Sequence, residues 1–305
     1  LGSGDSVQPR NTVSQITSVE PSAKGLTVDV VGGDAFVRVH STDHNIVVTG
    51  YQNEEFARIT PDGTVSVNTS SLTYALEKSR YASNWSGGDN SNATPVWTVV
   101  AHNGTLMWHD HRAHWMSPID PKPTAANGFV QSFSIPISVD GVSTTINGGI
   151  YLRTTSTLLW WLIAPVVAAL VWMVSRKWKY SVLCASTIAG VKIASLGAME
   201  LFALPGKARI TPVLLMFGLL ALVLSVAAFM WPRSQKSSFA QLGSHALIAG
   251  AGTTLLTAVA MTWKQVTHGY VPGLTHAWFA HAALPMATGV ACVAVVSGVM
   301  HVIRD

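Results

Sequence analysis

Charge is what this chain has least of. Only 11% of its 305 residues are Asp, Glu, Lys or Arg, against 49% apolar, where a soluble globular protein carries about a quarter charged. An ordinary soluble domain is excluded for the chain as a whole. Acidic residues nearly vanish after Thr157, where two remain against thirteen before it, while basic residues number nine before and ten after. The two stretches therefore carry −4 and +8, and the later basic residues fall in short segments between long apolar runs. That is the charge pattern of membrane topology and not of a nucleic-acid footprint, so nucleic-acid binding is excluded.

Cysteine is almost as scarce. Cys184 and Cys292 both sit in apolar runs, and residues 1–157 contain none, which excludes a disulfide-stapled module. The chain opens Leu1-Gly2-Ser3-Gly4-Asp5 without Met and without a basic-then-apolar leader, the pattern expected of a mature chain whose signal peptide has gone. No nucleophile elbow, phosphate-cradling glycine loop, His-Glu-x-x-His or Cys-x-x-Cys occurs, so the expectation is a non-enzymatic protein.

What is present divides the chain in three. Residues 1–25, rich in Ser, Gln, Thr and Pro, read as an extended lead-in. Residues 26–155 hold short β-type runs at Leu26–Val31, Phe36–His40, Ile46–Tyr51, Phe56–Thr60, Val65–Asn68, Val96–Ala101, Val130–Val139 and Thr144–Leu152. Gly32-Gly33-Asp34, Pro61-Asp62-Gly63 and Asp140-Gly141 supply turns between them, with a short helix expected over Ser71–Arg80 and a Ser/Asn/Gly loop over Ala82–Thr94. Residues 156–305 carry apolar runs at about 158–175, 181–204, 211–231, 243–263 and 284–303, each near the roughly 20 residues that cross a bilayer as helix. The expected fold is membrane α+β: an antiparallel β-sandwich-like domain followed by a five-helix transmembrane bundle. With the β domain outside, the inner segments carry Arg176, Lys177, Lys179, Arg233, Lys236 and Arg304, and the outer loops Lys207, Arg209 and Lys264. This places the β domain outside the plasma membrane and the C-terminus in the cytoplasm.

The densest chemical feature is Met107-Trp108-His109-Asp110-His111-Arg112-Ala113-His114-Trp115-Met116, preceded by His102. In an extended segment His109 and His111 share a face opposite Asp110 and Arg112, and a bend returns His114 to the first face. Three imidazoles could then converge on one ion. Imidazole suits Zn²⁺ and Cu²⁺, and the thioethers of Met107 and Met116 extend the range to Cu(I). The competing reading is a buried polar network of His–Asp and Arg–Asp bonds between Trp108 and Trp115. His268, His276 and His281 lie in the expected outer loop between spans four and five, flanked by Met261 and Met286, and His276 and His281 join the candidate ligands. On the second span, Lys192 and Glu200 are intramembrane ionisable groups, a proton or ion path by default. His245 with His301 is a weaker haem pair.

Tyr51-Gln52, Pro61-Asp62-Gly63-Thr64-Val65, Asn68, Ser79-Arg80-Tyr81, Pro95-Val96-Trp97 and, above all, Trp108-His109-Asp110-His111-Arg112-Ala113-His114-Trp115-Met116 resemble a family of exported actinobacterial membrane proteins. The resemblance covers roughly residues 26–155 and implies export and an envelope setting, without implying a reaction. In architecture the chain is also similar to accessory subunits of cytochrome bcc–aa3 respiratory oxidases and to copper-resistance membrane proteins, although it lacks the N-terminal histidine of the latter. These likenesses imply a non-enzymatic accessory or assembly subunit with other membrane-protein subunits and the lipid bilayer as partners. The alternatives are a copper or zinc handling protein and, third, an ion or solute carrier.

Overall fold

The computed structural model describes residues 8–78, 94–203, 212–231, 238–274 and 276–304. Most of the expected loop 82–94, the end of the expected helix at 79–80, and Lys207, Arg209, Arg233 and Lys236 lie outside them, as does the side chain of His301. The chain forms two compact units, one ending at Thr154 and one beginning at Thr155.

The first unit is an antiparallel β domain of strands β1 (Thr12–Glu20), β2 (Thr27–Val31), β3 (Phe36–His40), β4 (Ile46–Thr49), β5 (Glu55–Ile59), β6 (Val65–Asn68), β7 (Trp97–Ala101), β8 (Thr105–Trp108), β9 (Phe129–Val139) and β10 (Val142–Leu152), with helix α1 (Leu72–Leu76) between β6 and β7. A seven-stranded sheet runs in the order β1-β10-β9-β4-β5-β6-β7, and a three-stranded sheet in the order β2-β3-β8. Alternation puts Ile46, Val48, Ala57, Ile59, Val65 and Ile135 of the larger sheet against Val37, Val39, Leu106 and Trp108 of the smaller, one core shared by both, which Phe56 joins at a register shift between β4 and β5.

Two strands escape the periodicity. The segment assigned to an extended lead-in is β1, paired with β10 from Thr12↔Leu152 to Glu20↔Thr145 across a bulge near Ser18. Its polar alternation hides it, because as an edge strand it buries little apolar surface. Asp34 fixes it in place, accepting from Arg10 Nη1 at 2.7 Å and Thr12 Oγ1 at 2.8 Å. The boundary between an extended 1–25 and a β domain 26–155 is therefore corrected: β1 belongs to the β domain. Strand β8, the other omission, is a four-residue piece running directly into the histidine motif, and pairs β3 from His40↔Thr105 to Val37↔Trp108.

Among its described residues the second unit contains five helices long and apolar enough to cross a membrane. They are α2 (Ile163–Ser175, entered through a 3₁₀ turn at Leu158–Leu162), α3 (Ser181–Ala203), α4 (Val213–Met230), α5 (Ser238–Thr262) and α6 (Trp278–Arg304). The last begins six residues before the expected start at 284. Pro285 suggests a first helical position, where its missing N–H costs nothing, but here it lies inside the helix. His281 is consequently helical and does not lie in a loop. Helix α6 is the most enclosed of the described spans, with 56% of its most apolar stretch buried, against 6% for the first span.

Small residues set the helix spacing. A Cβ on Gly197 would meet Leu215 N at 2.1 Å, so α3 and α4 touch backbone to backbone, whereas one on Gly250 would meet only Leu224 Cδ1 at 3.5 Å. We expect Gly197→Leu to lower the melting temperature of the detergent-solubilised chain by several degrees, whereas Gly250→Ala should leave it unchanged or raise it, because alanine is the better helix former by about 1 kcal/mol. Differential scanning fluorimetry of both variants checks this.

Candidate functional site

The site is built on Asp110. Strand β8 ends at Trp108, whose indole Nε1 donates to Asp110 Oδ2 at 2.9 Å. Asp110 then caps a single 3₁₀ turn, His111–Ala113, accepting from the Arg112 backbone N–H at 2.9 Å. Its carboxylate also takes Arg112 Nε at 2.9 Å and Nη2 at 2.7 Å, a bidentate ion pair with the Asp110 side chain fully buried. The guanidinium reaches the Thr49 carbonyl at 3.3 Å and covers the Tyr51 ring at 4.8 Å. The Tyr51 hydroxyl in turn accepts from His111 N–H at 2.8 Å.

The turn gathers the three motif histidines. Ring centroids of His109 and His114 are 4.3 Å apart, of His111 and His114 5.2 Å, and of His109 and His111 5.4 Å. His109 and His114 are buried. The convergence expected from the sequence is present, but its cause differs: the backbone is not extended through the motif, and the 3₁₀ turn capped by Asp110 brings the rings round. Tyr51 stacks on His111 at 5.9 Å and Phe36 packs edge-on against His109 at 6.2 Å. Beneath the turn, Ser14 Oγ of β1 donates to the Ala113 carbonyl.

One tautomer is fixed. His109 Nδ1 bonds the Ala35 carbonyl, which can only accept, so Nδ1 carries the proton and Nε2 offers its lone pair. Such a backbone partner is how metal-ligating histidines are commonly oriented. Three imidazoles bound at about 2.0–2.1 Å to one ion have ring centroids about 5 Å apart, the spacing seen here. Even so, among the described residues no group of three or more His, Cys, Asp or Glu side chains already stands as a metal site.

The remaining sequence candidates are dispersed. His102 is exposed beyond the opposite end of β8, a strand about 13 Å long, with Nδ1 3.5 Å from Thr64 Oγ1. Met107 lies on the face of β8 opposite Leu106 and Trp108, and Met116 is 42% exposed. In the helical unit, His276 is exposed. His281 is buried with both ring nitrogens engaged, Nε2 donating to the His268 carbonyl at 2.9 Å and Nδ1 accepting from Ser156 Oγ at 3.1 Å. It has no lone pair left for a metal. Lys192 is half-buried with Nζ 3.7 Å from Met286 Sδ, and Glu200 is buried and accepts from Gln265 Nε2.

Sequence reasoning missed Tyr51 and Glu77 as parts of the site. Glu77, at the end of α1, is 2% exposed, and neither carboxylate oxygen has a hydrogen-bond partner among the described residues. Burial pushes its carboxyl well above the ordinary range, and the neighbouring negative charge of Asp110 pushes the same way. A lone Glu beside Lys78 reads as a solvated helix end, so no signal in the sequence marks it. The phenol of Tyr51 is likewise raised, by burial first and by Asp110 second.

The chain matches no protein-family model, no curated protein and no solved structure.

Two predictions follow from the geometry. Asp110→Asn leaves a largely buried guanidinium without its counter-ion and should cost about 3 kcal/mol, read as a lowered melting temperature of the intact chain. Because the folded Glu77 carboxyl titrates above its unfolded value, its stabilising protonation is complete below the ordinary carboxylate range and is lost as pH rises through the folded value. Melting temperature should therefore fall as pH rises from the ordinary carboxylate range to the raised folded value in the wild type, with a flatter profile in Glu77→Gln.

Proposed function

We propose that this protein is a copper or zinc handling protein, whose β domain takes up a transition metal on the outer face of the plasma membrane through His109, His111 and His114. The observation that carries this reading is the gathering of the three rings within 5.4 Å of one another on one capped turn. The donor chemistry agrees with it. A cysteine-free domain offering three imidazoles suits Zn²⁺ or Cu²⁺ and leaves a fourth position for water or an incoming ligand. The acidic excess of residues 1–157 favours approach of a cation. A metal would hold the three rings to one point, and the His109–Ala35 bond supplies the orienting partner.

A second reading, an accessory subunit of an envelope complex such as a respiratory oxidase, is supported by a different surface. Strand β7 is the outer strand of the larger sheet, and Val99 and Val100 on it, with Val96 just before, are each 44–56% exposed. Apolar edge strands are surfaces that another chain covers.

Elemental analysis of the detergent-extracted chain, purified without a histidine tag or chelator, should find about one copper or zinc per chain. His111→Ala should weaken that binding roughly a hundredfold while the chain still elutes as a folded species. No bound metal after exposure to Cu(I), Cu(II) and Zn(II) would overturn the metal reading. For the accessory reading, Val99→Lys should abolish co-purification with a larger complex in mild detergent.

A further inference from the structure

A second polar centre lies within the helical unit. On α3 the buried positions Ala189, Ile193, Leu196 and Glu200 recur every three or four residues and form the stripe facing the other helices. Met199 and Phe202 beside Glu200 are exposed and flank that stripe. A carboxyl thus occupies a position in the stripe that three apolar side chains define.

Its surroundings are closed. Glu200 is 4% exposed and accepts a hydrogen bond from Gln265 Nε2, on the 3₁₀ turn Trp263–Val266 that follows α5. Gln265 is equally buried, and its Oε1 has no donor among the described residues. The segment after it folds back over the pair. Val266 and Val271 are fully buried, and a Cβ on Gly273 would meet the Met199 carbonyl at 2.6 Å and Glu200 Cα at 2.9 Å.

No cation answers the carboxylate among the described residues. On α3, Lys192 is eight residues away, about 12 Å along the helix, and its ammonium lies against Met286. Helices α2 and α4 contain no titratable residue. The α5 side contributes His245 toward its other end and the exposed Lys264; the connecting segment contributes His268, Tyr270 and His276; and α6 contributes His281, Cys292 and His301. Of these, His281 on α6 is buried against the same segment, donating to the His268 carbonyl three residues beyond Gln265.

We propose that Glu200 and Gln265 form a proton-binding site within the helical unit, with the proton held on the second carboxyl oxygen of Glu200 and donated to Gln265 Oε1. The geometry asks for that proton. A neutral acid and a carboxamide form a closed pair of hydrogen bonds, Nε2–H to one carboxyl oxygen and the other O–H to Oε1, which satisfies the orphaned acceptor. An ionised carboxylate would leave Oε1 unsatisfied and an uncompensated charge among apolar side chains. The site is independent of the three-histidine cluster and stands or falls without it. His281, held by Ser156 and the His268 carbonyl, is the buried titratable side chain tied to the same connecting segment.

The test is labelling of the full-length detergent-solubilised chain with dicyclohexylcarbodiimide, which adds to neutral carboxylic acids in apolar surroundings, followed by peptide mass spectrometry. An adduct is expected on the Glu200 peptide, declining roughly tenfold per pH unit once the acid ionises. Glu200→Gln should abolish the adduct while keeping the chain folded, since an amide pairs equally well with Gln265. Gln265→Leu removes the donor to the ionised form and should move the decline to higher pH. A pH-independent adduct, or protection by Na⁺ at fixed pH, would overturn the proposal. Should the reagent give no adduct, the infrared C=O band of a neutral acid, present in the wild type and absent from Glu200→Gln, is the expected result; its absence from the wild type would overturn the proposal as well.

Discussion

The buried carboxylate of Asp110 is the constraint around which the β domain is arranged. It receives the indole of Trp108, the backbone N–H of Arg112 and two guanidinium N–H groups. Each bond does a different structural job. The first ties the end of β8 to the core, the second starts the 3₁₀ turn, and the last two neutralise a charge that burial would otherwise make costly. With the turn closed, His111 and His114 are carried round to His109. The Arg112 guanidinium, held on Asp110, also covers Tyr51, and Tyr51 stacks on His111. The histidine cluster is thus held by groups that do not belong to it.

Strands β3 to β6 are legible because burial of one face writes a period of two, whereas the spans at 158–175, 181–204 and 211–231 are legible as continuous apolar runs, whether or not they are buried against other helices. Strand β1 was not legible, since it is held by Asp34 and by its ladder with β10, and backbone bonds leave no trace in side-chain pattern. Pro285 hid the true start of α6 for a related reason: local propensity places proline at a helix start, and tertiary packing of a central helix outweighs that preference. At the site, the motif residues were legible and their contacts were not. Tyr51 and Glu77 come from distant parts of the chain, and only folding brings them beside Asp110 and Arg112.

The histidine cluster and the polar network are alternatives in the sequence, and the structure makes them neighbours. Asp110, Arg112 and the Trp108 indole satisfy one another, so the network is complete without any imidazole side chain. Trp115, the expected second wall, instead donates to the Ile119 carbonyl at 2.7 Å. A network that needed the histidines for its own stability would bond them to Asp110 through its carboxylate. The nearest such contact is His114 Nδ1 at 3.4 Å from the Asp110 backbone carbonyl, too long to carry much. The rings are therefore grouped by the turn, while the Asp110 carboxylate is satisfied by Trp108 and Arg112.

The same local geometry underlies both polar centres. In a 3₁₀ turn, three residues complete a revolution, so side chains at i and i+3 stand on one side. His111 and His114 are so spaced, His111 opening the turn His111–Ala113 and His114 following it, and Gln265 lies within the turn Trp263–Val266. A strand would alternate such residues between faces, and an α-helix would rotate them about 60° apart. A short 3₁₀ turn eclipses them and also exposes backbone groups that polar side chains can use, as Asp110 uses the Arg112 N–H and His281 the His268 carbonyl. Polar chemistry accordingly gathers where the regular elements end, in segments too short to register as periodicity. For that reason the motif histidines, Asp110, Arg112 and Glu200 stand out in the sequence, while Tyr51, Glu77 and Gln265 and the assembly of each centre do not.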